Sequence, residues 1–403
     1  MNPVSAVGVA IRKSGANELA LALQQSRHDT LATFDAAWAA AQGQVAQRGD
    51  LNPPLWELGH IGWFQAWWLA RNPARAQGWR ADPDVARPAS AGDALYDSSR
   101  VAHASRWQLP LPDADATRRV LAAQLDATLA LLQAAPATDD GLYFFRLALL
   151  HEDMHHEAAL YMAQALGWPA TGAQPPRLAP PRMPPPPAGL VLAAGGFVQG
   201  QAGAGFAFDN ECGAHTVALP ALQIDAQVLR WAEYLPFVEA GGYRQPAWWD
   251  AGGLAWRAAN LPEAPRYLRR AAGGAWQRCL HGQWQALPLD SPACHLSAHE
   301  AEAWCRWAGR RLPSEAEWER AALAEPEAFD WGAVWEWTAS PFVAYPGFVA
   351  HPYRDYSAPW FGSRRVLRGA SFMTQPRMHH PRYRNFFAPD RTDVAAGFRT
   401  CAL

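Results

Sequence analysis

Apolar residues recur at helical spacing in four separate stretches between Asn17 and Gly167. Residues three and four apart lie on one face of a helix, so each stretch predicts an amphipathic helix. Four such helices predict a four-helix bundle. Asp139 and Asp140 are expected to start the last helix, and Gly167 with Pro169 is expected to end it. The four stretches cover residues 18–41, 54–71, 116–135 and 141–167.

The pattern changes after residue 174. Residues 175–187 hold eight prolines in thirteen positions, which excludes helix and inner strand and predicts a semi-rigid linker. Beyond it, short apolar runs alternate with glycines and turn signals, and only residues 297–309 and 314–324 have helical spacing. The predicted fold class is therefore α plus α+β. We expect a helical bundle over 1–174, a linker over 175–188 and an irregular α+β domain over 189–403.

Charge and composition narrow the classes of partner. The chain has 35 basic and 37 acidic side chains, so we expect neither nucleic acid nor an anionic membrane surface as a partner. No stretch resembles a secretory signal or reaches the roughly 18 apolar residues of a membrane span, which predicts a cytoplasmic protein. The five cysteines are odd in number and form no CxxC pair, so we expect reduced packing residues.

Three histidines form the main candidate site. His151 and His155 lie four residues apart in the last predicted helix, so they project from the same face and can chelate one metal ion. His60 lies in the second predicted helix, on the side expected to face the bundle interior, where facing helices converge on metals. His156 is rotated by about 100° from His155 and is expected to point aside. These residues predict a metal site formed by His60, His151 and His155.

The string HEDMH at 151–155 also matches the HExxH signature of zinc metalloproteases, with Glu152 as general base. Those enzymes take a further ligand downstream, and residues 158–180 contain no Glu or His. Three neutral histidines without a carboxylate leave positions open for oxygen and substrate, as iron(II) chemistry requires. The spacing alone is equally compatible with zinc.

Two motif sets, in order along the chain, resemble a known family. The first comprises PPLWELGHIGWF (53–64) and HEDMHHE (151–157), and the second comprises GRRLPSEAEWERAA (309–322), VWEWTASPF (334–342), VLRGASF (366–372) and AGFRTC (396–401). Together they resemble the ergothioneine-type sulfoxide synthases. That family joins a DinB-like four-helix bundle to a formylglycine-generating-enzyme-like domain, which is also described as C-type-lectin-like. The resemblance covers nearly the whole chain.

The resemblance implies a non-haem iron(II) enzyme with O2 as co-substrate. It gives His60, His151 and His155 the role of iron ligands and makes hercynine, the trimethylated betaine of histidine, the substrate. The tyrosine-rich segment 345–362 matches the stretch that holds the family's catalytic tyrosine, which we assign to Tyr353. A phenol there can supply a proton or an electron.

The betaine-binding region of the family matches Tyr356, Asn385 and Phe386. Aromatic faces in such a region suit a quaternary ammonium group.

Departures from the family pattern concern the second substrate. Met154 stands where a glutamine is usual, and Asn385-Phe386-Phe387 replaces Asn-Trp-Asp, so the carboxylate that helps to hold an amino-acid thiol is absent. A zwitterionic thiol would lack a counter-charge for its ammonium group, which favours a neutral donor. Phe386, Phe387 and residues 98–113 resemble the selenoneine synthase branch, which couples hercynine to a selenosugar such as 1-selenoglucose.

Two other hypotheses stay open. One is a sulfoxide synthase that joins hercynine to cysteine or γ-glutamylcysteine. The other is a non-catalytic, DinB-like metal-binding module whose second domain only binds a ligand. A formylglycine-generating activity is disfavoured because residues 373–380 lack the paired cysteines of those enzymes.

Overall fold

The structure is a computed structural model that describes residues 3–49, 51–168 and 178–403. Within these ranges it has ten α-helices, separated in several places by short 3-10 turns. The helices are α1 (Pro3–Ile11), α2 (Ala16–Ala40), α3 (Pro54–Trp68), α4 (Asp93–Tyr96), α5 (Ala114–Gln133), α6 (Asp139–Leu166), α7 (Trp231–Glu239), α8 (Ala251–Asn260), α9 (Ala298–Ala308) and α10 (Glu315–Ala324).

The four long helices α2, α3, α5 and α6 form the bundle, and they coincide with the four predicted stretches. Thr138 caps α6, because its side-chain oxygen accepts a hydrogen bond from the backbone N–H of Gly141 at 3.1 Å. The predicted start residues Asp139 and Asp140 occupy the first turn. Gly167 ends α6 in the left-handed conformation, with φ 69°. Pro169 lies outside the described residues.

One prediction about the bundle is wrong: α3 is not amphipathic. All seven residues from 56 to 62 are buried. The side of α3 that faces away from α2, α5 and α6 is covered by the segment that contains α4. Trp56 Nε1 donates to the Leu95 carbonyl at 2.7 Å, and Gly59 leaves room for the Tyr96 ring, which a Cβ at position 59 would approach to 2.4 Å. Helical periodicity in the sequence could not predict that an irregular segment packs over this side of α3.

The carboxyl-terminal half is an α+β region built on short strands, which confirms the predicted α plus α+β layout. Its main sheet has four strands in the order β10-β9-β8-β11, and β11 alone runs parallel to its neighbour. The strands are β1 (Leu190–Leu192), β2 (Gly195–Gln199), β3 (His215–Leu219), β4 (Leu222–Ile224), β5 (Leu268–Arg270), β6 (Trp276–Leu280), β7 (Gln283–Ala286), β8 (Trp335–Pro341), β9 (Arg365–Gly369), β10 (Asn385–Phe387) and β11 (Ala396–Gly397).

The helix prediction for this half was incomplete. The two predicted helices are present as α9 and α10, and each begins with a serine capping box at Ser297 and Ser314. The structure also has α7 and α8, which were missed. Pro236 interrupts the pattern of α7, and α8 begins with Gly252 and Gly253 in its first turn. Both features lower intrinsic helix propensity, so tertiary packing, and not the local sequence, makes these two segments helical.

No regular structure is present from 178 to 189, in agreement with the proline-rich composition there. The predicted linker begins at residue 175, and residues 175–177 lie outside the described ranges, so its boundaries stay a prediction. Among the described residues, no helix combines the length and the apolar character that crossing a bilayer requires. All five cysteines are free thiols.

Helix α6 joins the two halves through buried polar contacts. Trp335 Nε1 donates to Glu157 Oε1 at 2.6 Å, and Arg377 Nη2 donates to Asp153 Oδ1 at 2.8 Å. Charge-assisted contacts of this kind are costly to break when buried. They fix α6 against the carboxyl-terminal half.

Candidate metal centre and adjoining cavity

The three predicted ligands come together. His60 on α3 and His151 and His155 on α6 each place one ring nitrogen within 4.8 Å of the others. The Nε2 atoms of His151 and His155 are 3.2 Å apart. Two nitrogens that bind one ion at about 2.0–2.1 Å lie roughly 2.8–3.4 Å apart, from octahedral to tetrahedral geometry, so the arrangement fits a shared metal.

Surrounding groups orient the imidazoles of His60 and His151. The Tyr96 carbonyl lies 2.8 Å from Nδ1 of His60 and can accept its hydrogen, which leaves Nε2 free for a metal. Phe64 stacks on His151 with ring centroids 3.5 Å apart and an interplanar angle of 4°. Trp56 stacks on His60 at 4.8 Å. The rings are thus held in position by contacts that do not involve the ligand nitrogens.

Burial keeps His60 and His151 neutral. It lowers the pKa of His60 to about 3, with a further contribution from the nearby charge of His155, and it lowers the pKa of His151 well below its usual value. Neutral imidazoles have the free lone pair that a metal requires. The donor set is three nitrogens with no carboxylate, which fits iron(II) with open coordination positions and also fits zinc.

Sequence reasoning missed Glu57, which contacts Nδ1 of His155. Burial acts to raise the pKa of Glu57, but the charge and hydrogen bond of His155 outweigh it, so the pKa is lowered and the carboxylate is ionised at neutral pH. Asn52 donates to the other oxygen of Glu57, and Arg106 Nη1 donates to Asn52 Oδ1 at 2.9 Å. Glu57 lies three residues before His60, on the same face of α3, and this spacing was the available signal.

The first two acidic residues of HEDMHHE, Glu152 and Asp153, face away from the metal site. Glu152 is paired with Arg27 of α2, whose Nε and Nη2 donate to its two oxygens at 2.8 and 3.1 Å. Asp153 accepts from Ser26 Oγ at 2.8 Å. Glu152 is therefore not available as the general base of an HExxH protease. This arrangement argues against the metalloprotease reading.

His156 points aside, as its offset from His155 predicts. Its Nε2 lies 2.9 Å from Thr33 Oγ1, and its Nδ1 lies 3.1 Å from Gln375 Nε2. Both ring nitrogens are therefore occupied by the protein. His156 supports the contact between α2, α6 and the carboxyl-terminal half.

A cavity of about 290 Å³ opens beside the histidines and is lined by His151 and His155. We call it the metal cavity. Its wall also contains all six residues that the sequence predicted for substrate binding and catalysis, drawn from α6, the loop before β9, and β10. They are Met154, Tyr353, Tyr356, Asn385, Phe386 and Phe387. The structure thus brings the predicted set together, and their individual roles remain predictions.

Tyr353 is the predicted catalytic residue and approaches the metal ligands. Its ring centroid is 6.1 Å from that of His151 and 4.9 Å from that of Phe64, in edge-on geometry. Burial raises the pKa of the Tyr353 phenol well above its usual value. The hydroxyl therefore keeps its proton at neutral pH and can donate it within the cavity.

Several cavity residues were not predicted. Tyr383 Oη donates to Met154 Sδ at 3.5 Å and lies 3.2 Å from Tyr356 Oη. Glu157 accepts from Trp335 and, at 3.0 Å, from Ser371 Oγ, and burial raises its pKa. Tyr161 lies seven residues after Met154, so helical spacing could have placed it on the cavity face of α6. Tyr383 had no comparable local signal.

A second cluster of possible metal ligands is less suited to bind an ion. Asp250, His299 and Glu302 also place ligand atoms within 4.8 Å of one another, and Asp250 is exposed. Arg306 Nη2 lies 3.5 Å from Asp250 Oδ2, and Arg365 Nη1 donates to Glu302 Oε1 at 2.7 Å. These arginines already neutralise the carboxylates.

Comparisons with known proteins agree with this organisation. The sulfatase-modifying factor enzyme 1-like domain family matches residues 176–333 and 331–402. The hercynine oxygenase of Mycobacterium tuberculosis (strain ATCC 25618 / H37Rv) is 34% identical over 432 residues, which cover 94% of this chain and 96% of that protein. The hercynine oxygenase of Mycolicibacterium smegmatis (strain ATCC 700084 / mc(2)155) is 33% identical, covering 96% and 98%.

Among solved structures, PvdO from Pseudomonas aeruginosa covers 53% of this chain and 93% of its own, with 17% sequence identity and a TM-score of 0.37. The full-length relatives and the domain match together assign the family. The chain belongs to the hercynine oxygenases and carries a sulfatase-modifying factor enzyme 1-like domain in its carboxyl-terminal half.

Proposed function

We propose that this chain joins the imidazole C2 of hercynine to the selenium of a selenosugar such as 1-selenoglucose, with iron(II) as cofactor and O2 as oxidant. Similarity to hercynine oxygenases over nearly the whole chain supports hercynine as the first substrate. Formation of the C–Se bond removes the C2–H and Se–H hydrogens as two protons and two electrons. Dioxygen accepts them and leaves as hydrogen peroxide; if one oxygen atom stays on selenium as a selenoxide, the other leaves as water, and neither route needs a further reductant.

His60, His151 and His155 are the proposed iron ligands. Iron(II) held by three neutral imidazoles would supply dioxygen activation, and its remaining positions would accept the substrates. Glu57 holds Nδ1 of His155, and the Tyr96 carbonyl holds Nδ1 of His60, so both rings present Nε2. The protein thereby fixes which nitrogens face the cavity before any metal binds.

Aromatic groups of the cavity provide the proposed hercynine site. The Tyr356 and Phe386 rings stand nearly edge to face, with centroids 5.8 Å apart, and Asn385 precedes Phe386 on β10. A quaternary ammonium group is attracted to aromatic faces and makes no hydrogen bonds of its own. Tyr353 is the proposed proton donor, and its protonated state and its closeness to His151 support this role.

The observation that carries the choice of donor is Phe387 in the wall of the metal cavity. An amino-acid thiol needs a carboxylate there to pair with its ammonium group, and Phe387 offers none. Glu57 and Glu157 also line the cavity, but both are already held by protein donors. A neutral glycosyl selenol can instead place the apolar face of its sugar ring against Phe387.

Turnover with defined donors tests this proposal. The protein is loaded anaerobically with iron(II) and hercynine, exposed to air, and given 1-selenoglucose, cysteine or γ-glutamylcysteine in separate reactions. Mass spectrometry should detect a hercynine–selenosugar adduct as the main product, and His151→Ala should form none. Main product from a thiol would establish a sulfoxide synthase instead. Metal binding without turnover of any donor would indicate a non-catalytic module.

A further inference from the structure

A second and much larger cavity, of about 1180 Å³, lies in the carboxyl-terminal half. It is lined by residues of α7, α8, β5 and β6 and by residues 390–393, and we call it the outer groove. Three aromatic side chains, Tyr243, Trp256 and Trp276, contribute to its wall. Five arginines and five acidic residues complete the polar lining, so their formal charges cancel.

This lining suits a polar ligand without net charge. Aromatic faces and alternating donors and acceptors offer a sugar ring both apolar contact and partners for its hydroxyl groups. An anionic ligand would meet as many carboxylates as arginines. The outer groove therefore has the chemistry expected of a hydroxyl-rich ligand.

Arg391 lies between the outer groove and the metal cavity. It lines the outer groove, while its guanidinium carbon is 5.0 Å from the centroid of the Phe387 ring and 5.5 Å from that of Tyr161. Phe387 and Tyr161 both line the metal cavity. Asp393 holds Arg391 by accepting from Nε at 2.6 Å and from Nη2 at 2.7 Å. Arg391 thus lines the outer groove and packs against two residues of the metal-cavity wall.

The metal cavity is much smaller than the outer groove, and this difference limits where the two substrates of the proposed reaction can bind. Pockets for one small ligand usually measure about 300–1,000 Å³, and the metal cavity, at about 290 Å³, lies at the lower end of that range. Hercynine occupies this space under the proposed function. A second substrate must therefore extend into neighbouring space, and Arg391 marks where the outer groove adjoins the metal cavity.

We infer that the outer groove binds the sugar portion of the donor and that Arg391 positions the donor across Phe387, with its reactive end toward the metal cavity. This inference rests on the proposed function. Asp393 fixes the orientation of the guanidinium, and Nη1 lies outside that ion pair. Guanidinium hydrogens directed at hydroxyl groups of the donor would favour a sugar over a purely apolar selenol.

Kinetics of two groove variants test the inference. Arg391→Met keeps the apolar stem and removes the donors, and Trp276→Ala removes an aromatic wall at a distance from Phe387. We expect Arg391→Met to raise the KM for 1-selenoglucose about tenfold or more, and Trp276→Ala to raise it several-fold. Both should leave the KM for hercynine within about twofold of the native value, because neither residue lines the metal cavity.

Arg118→Met is the matched control. Arg118 also pairs with an aspartate, Asp35, lies over an aromatic ring, that of Phe34, and has a side-chain exposure of 31% against 32% for Arg391. It lines neither cavity. This variant should keep the native KM values for both substrates.

A binding measurement separates this inference from the proposed function. The methyl selenoglycoside of glucose has no Se–H group and cannot be coupled, so its affinity is measured by calorimetry on the metal-free native protein and on both groove variants. Weaker binding in both variants supports the groove even if native enzyme prefers a thiol in turnover. Native affinity and native donor KM in both variants would overturn the inference while leaving the proposed reaction intact.

Discussion

The Glu57 carboxylate lies in contact with Nδ1 of His155, across the interface between α3 and α6. Because Glu57 is ionised, it accepts the Nδ1 hydrogen, and Nε2 of His155 is left 3.2 Å from Nε2 of His151. The contact fixes both the tautomer and the direction of one proposed ligand. It also places a negative charge beside a proposed site that has three imidazoles and no carboxylate among its ligands.

Glu57→Gln should therefore weaken metal binding without unfolding the chain. The amide keeps the shape of the carboxylate but removes its charge, and loss of such a partner typically costs about 10- to 100-fold in metal affinity. Competition with a chelator of known affinity measures the effect. Glu152→Gln is the control, because Glu152 is equally buried next to His151 but pairs with Arg27 instead. Equal metal affinity in native protein and Glu57→Gln would reduce Glu57 to a packing residue.

The histidine trio gives a prediction about stoichiometry. We expect one iron per native chain, and loss of both bound iron and turnover in His60→Ala, His151→Ala and His155→Ala, since each removes one of three donors. His28→Ala, which alters an exposed histidine of α2, should keep one iron per chain. Metal analysis of the purified proteins provides the readout. Full iron occupancy in His151→Ala would contradict the ligand assignment.

His156→Ala separates metal binding from stability. It should keep the iron but lower the free energy of unfolding by about 1–3 kcal/mol, because it leaves buried Thr33 and Gln375 without their shared partner. Urea denaturation and metal analysis of the same sample distinguish the two effects. Loss of iron together with retained stability would place His156 in the metal site.

The bundle and the proposed metal site could be predicted from the sequence because they rest on local rules. Helical periodicity places His151 and His155 on one face of α6 whatever surrounds it, and the same rule orients His60 within α3. The contacts of Glu57 could not be predicted in the same way, because they depend on tertiary packing. Its spacing from His60 was visible, but its partner is 98 residues away, on another helix.

The metal cavity also could not be predicted from local rules, because its lining residues are far apart in the sequence. Tyr353 and Tyr356 were placed by family resemblance and not by any periodic pattern, since they lie in a loop between β8 and β9. Tyr383 reaches Met154 across 229 positions, a proximity that depends on how the two halves pack. The outer groove is formed in part by α7 and α8, whose sequences disfavour helix and which were missed for that reason.

Tyr353→Phe keeps the ring and removes only the hydroxyl. If the phenol donates a proton during coupling, product formation should fall by about 10²- to 10⁴-fold while the affinity for hercynine stays native. Single-turnover product analysis and calorimetry with hercynine measure the two quantities. Tyr267→Phe is the control, because the Tyr267 hydroxyl has no hydrogen-bond partner among the described residues and lies outside the metal cavity. An unchanged rate in Tyr353→Phe would leave Tyr353 a packing residue.

Asp209 gives a prediction about pH and stability. It accepts from the hydroxyl of Ser357, next to Tyr356, and burial raises its pKa from 3.8 to about 6. The folded state thus holds this proton more tightly than the unfolded chain. The resulting stability is complete below about pH 4 and is lost as the pH rises through 6, a change on the order of 2–3 kcal/mol.

Asp209→Asn should remove this dependence, because the amide still accepts from Ser357 but carries no titrating group. Urea unfolding of native protein and variant at pH 4, 5, 6 and 7 isolates the contribution of Asp209 as a difference that grows with pH. Asp126→Asn, in an exposed position of α5, should leave the native profile unchanged. A constant difference between native protein and Asp209→Asn would show that Asp209 does not titrate in this range.

The choice of donor depends on Phe387, and Phe387→Asp tests it. With equal concentrations of 1-selenoglucose and γ-glutamylcysteine under air, the native enzyme should form mainly the selenium product. Phe387→Asp should narrow that preference, because a carboxylate in the cavity wall can pair with the ammonium group of the amino-acid thiol. The new carboxylate would lie beside Arg391, whose Nη1 lies outside the ion pair with Asp393, so the arginine offsets part of the new charge and the preference is narrowed and not reversed.

Phe387→Asn is the matched control, since it introduces a polar side chain of the same size without charge. It should weaken the use of 1-selenoglucose by loss of the aromatic face, yet it should not admit γ-glutamylcysteine. The ratio of the two products by mass spectrometry distinguishes the variants. If native enzyme used γ-glutamylcysteine as efficiently as 1-selenoglucose, Phe387 would not determine the donor. The chain would then be assigned to sulfur chemistry, with the same metal site and the same first substrate.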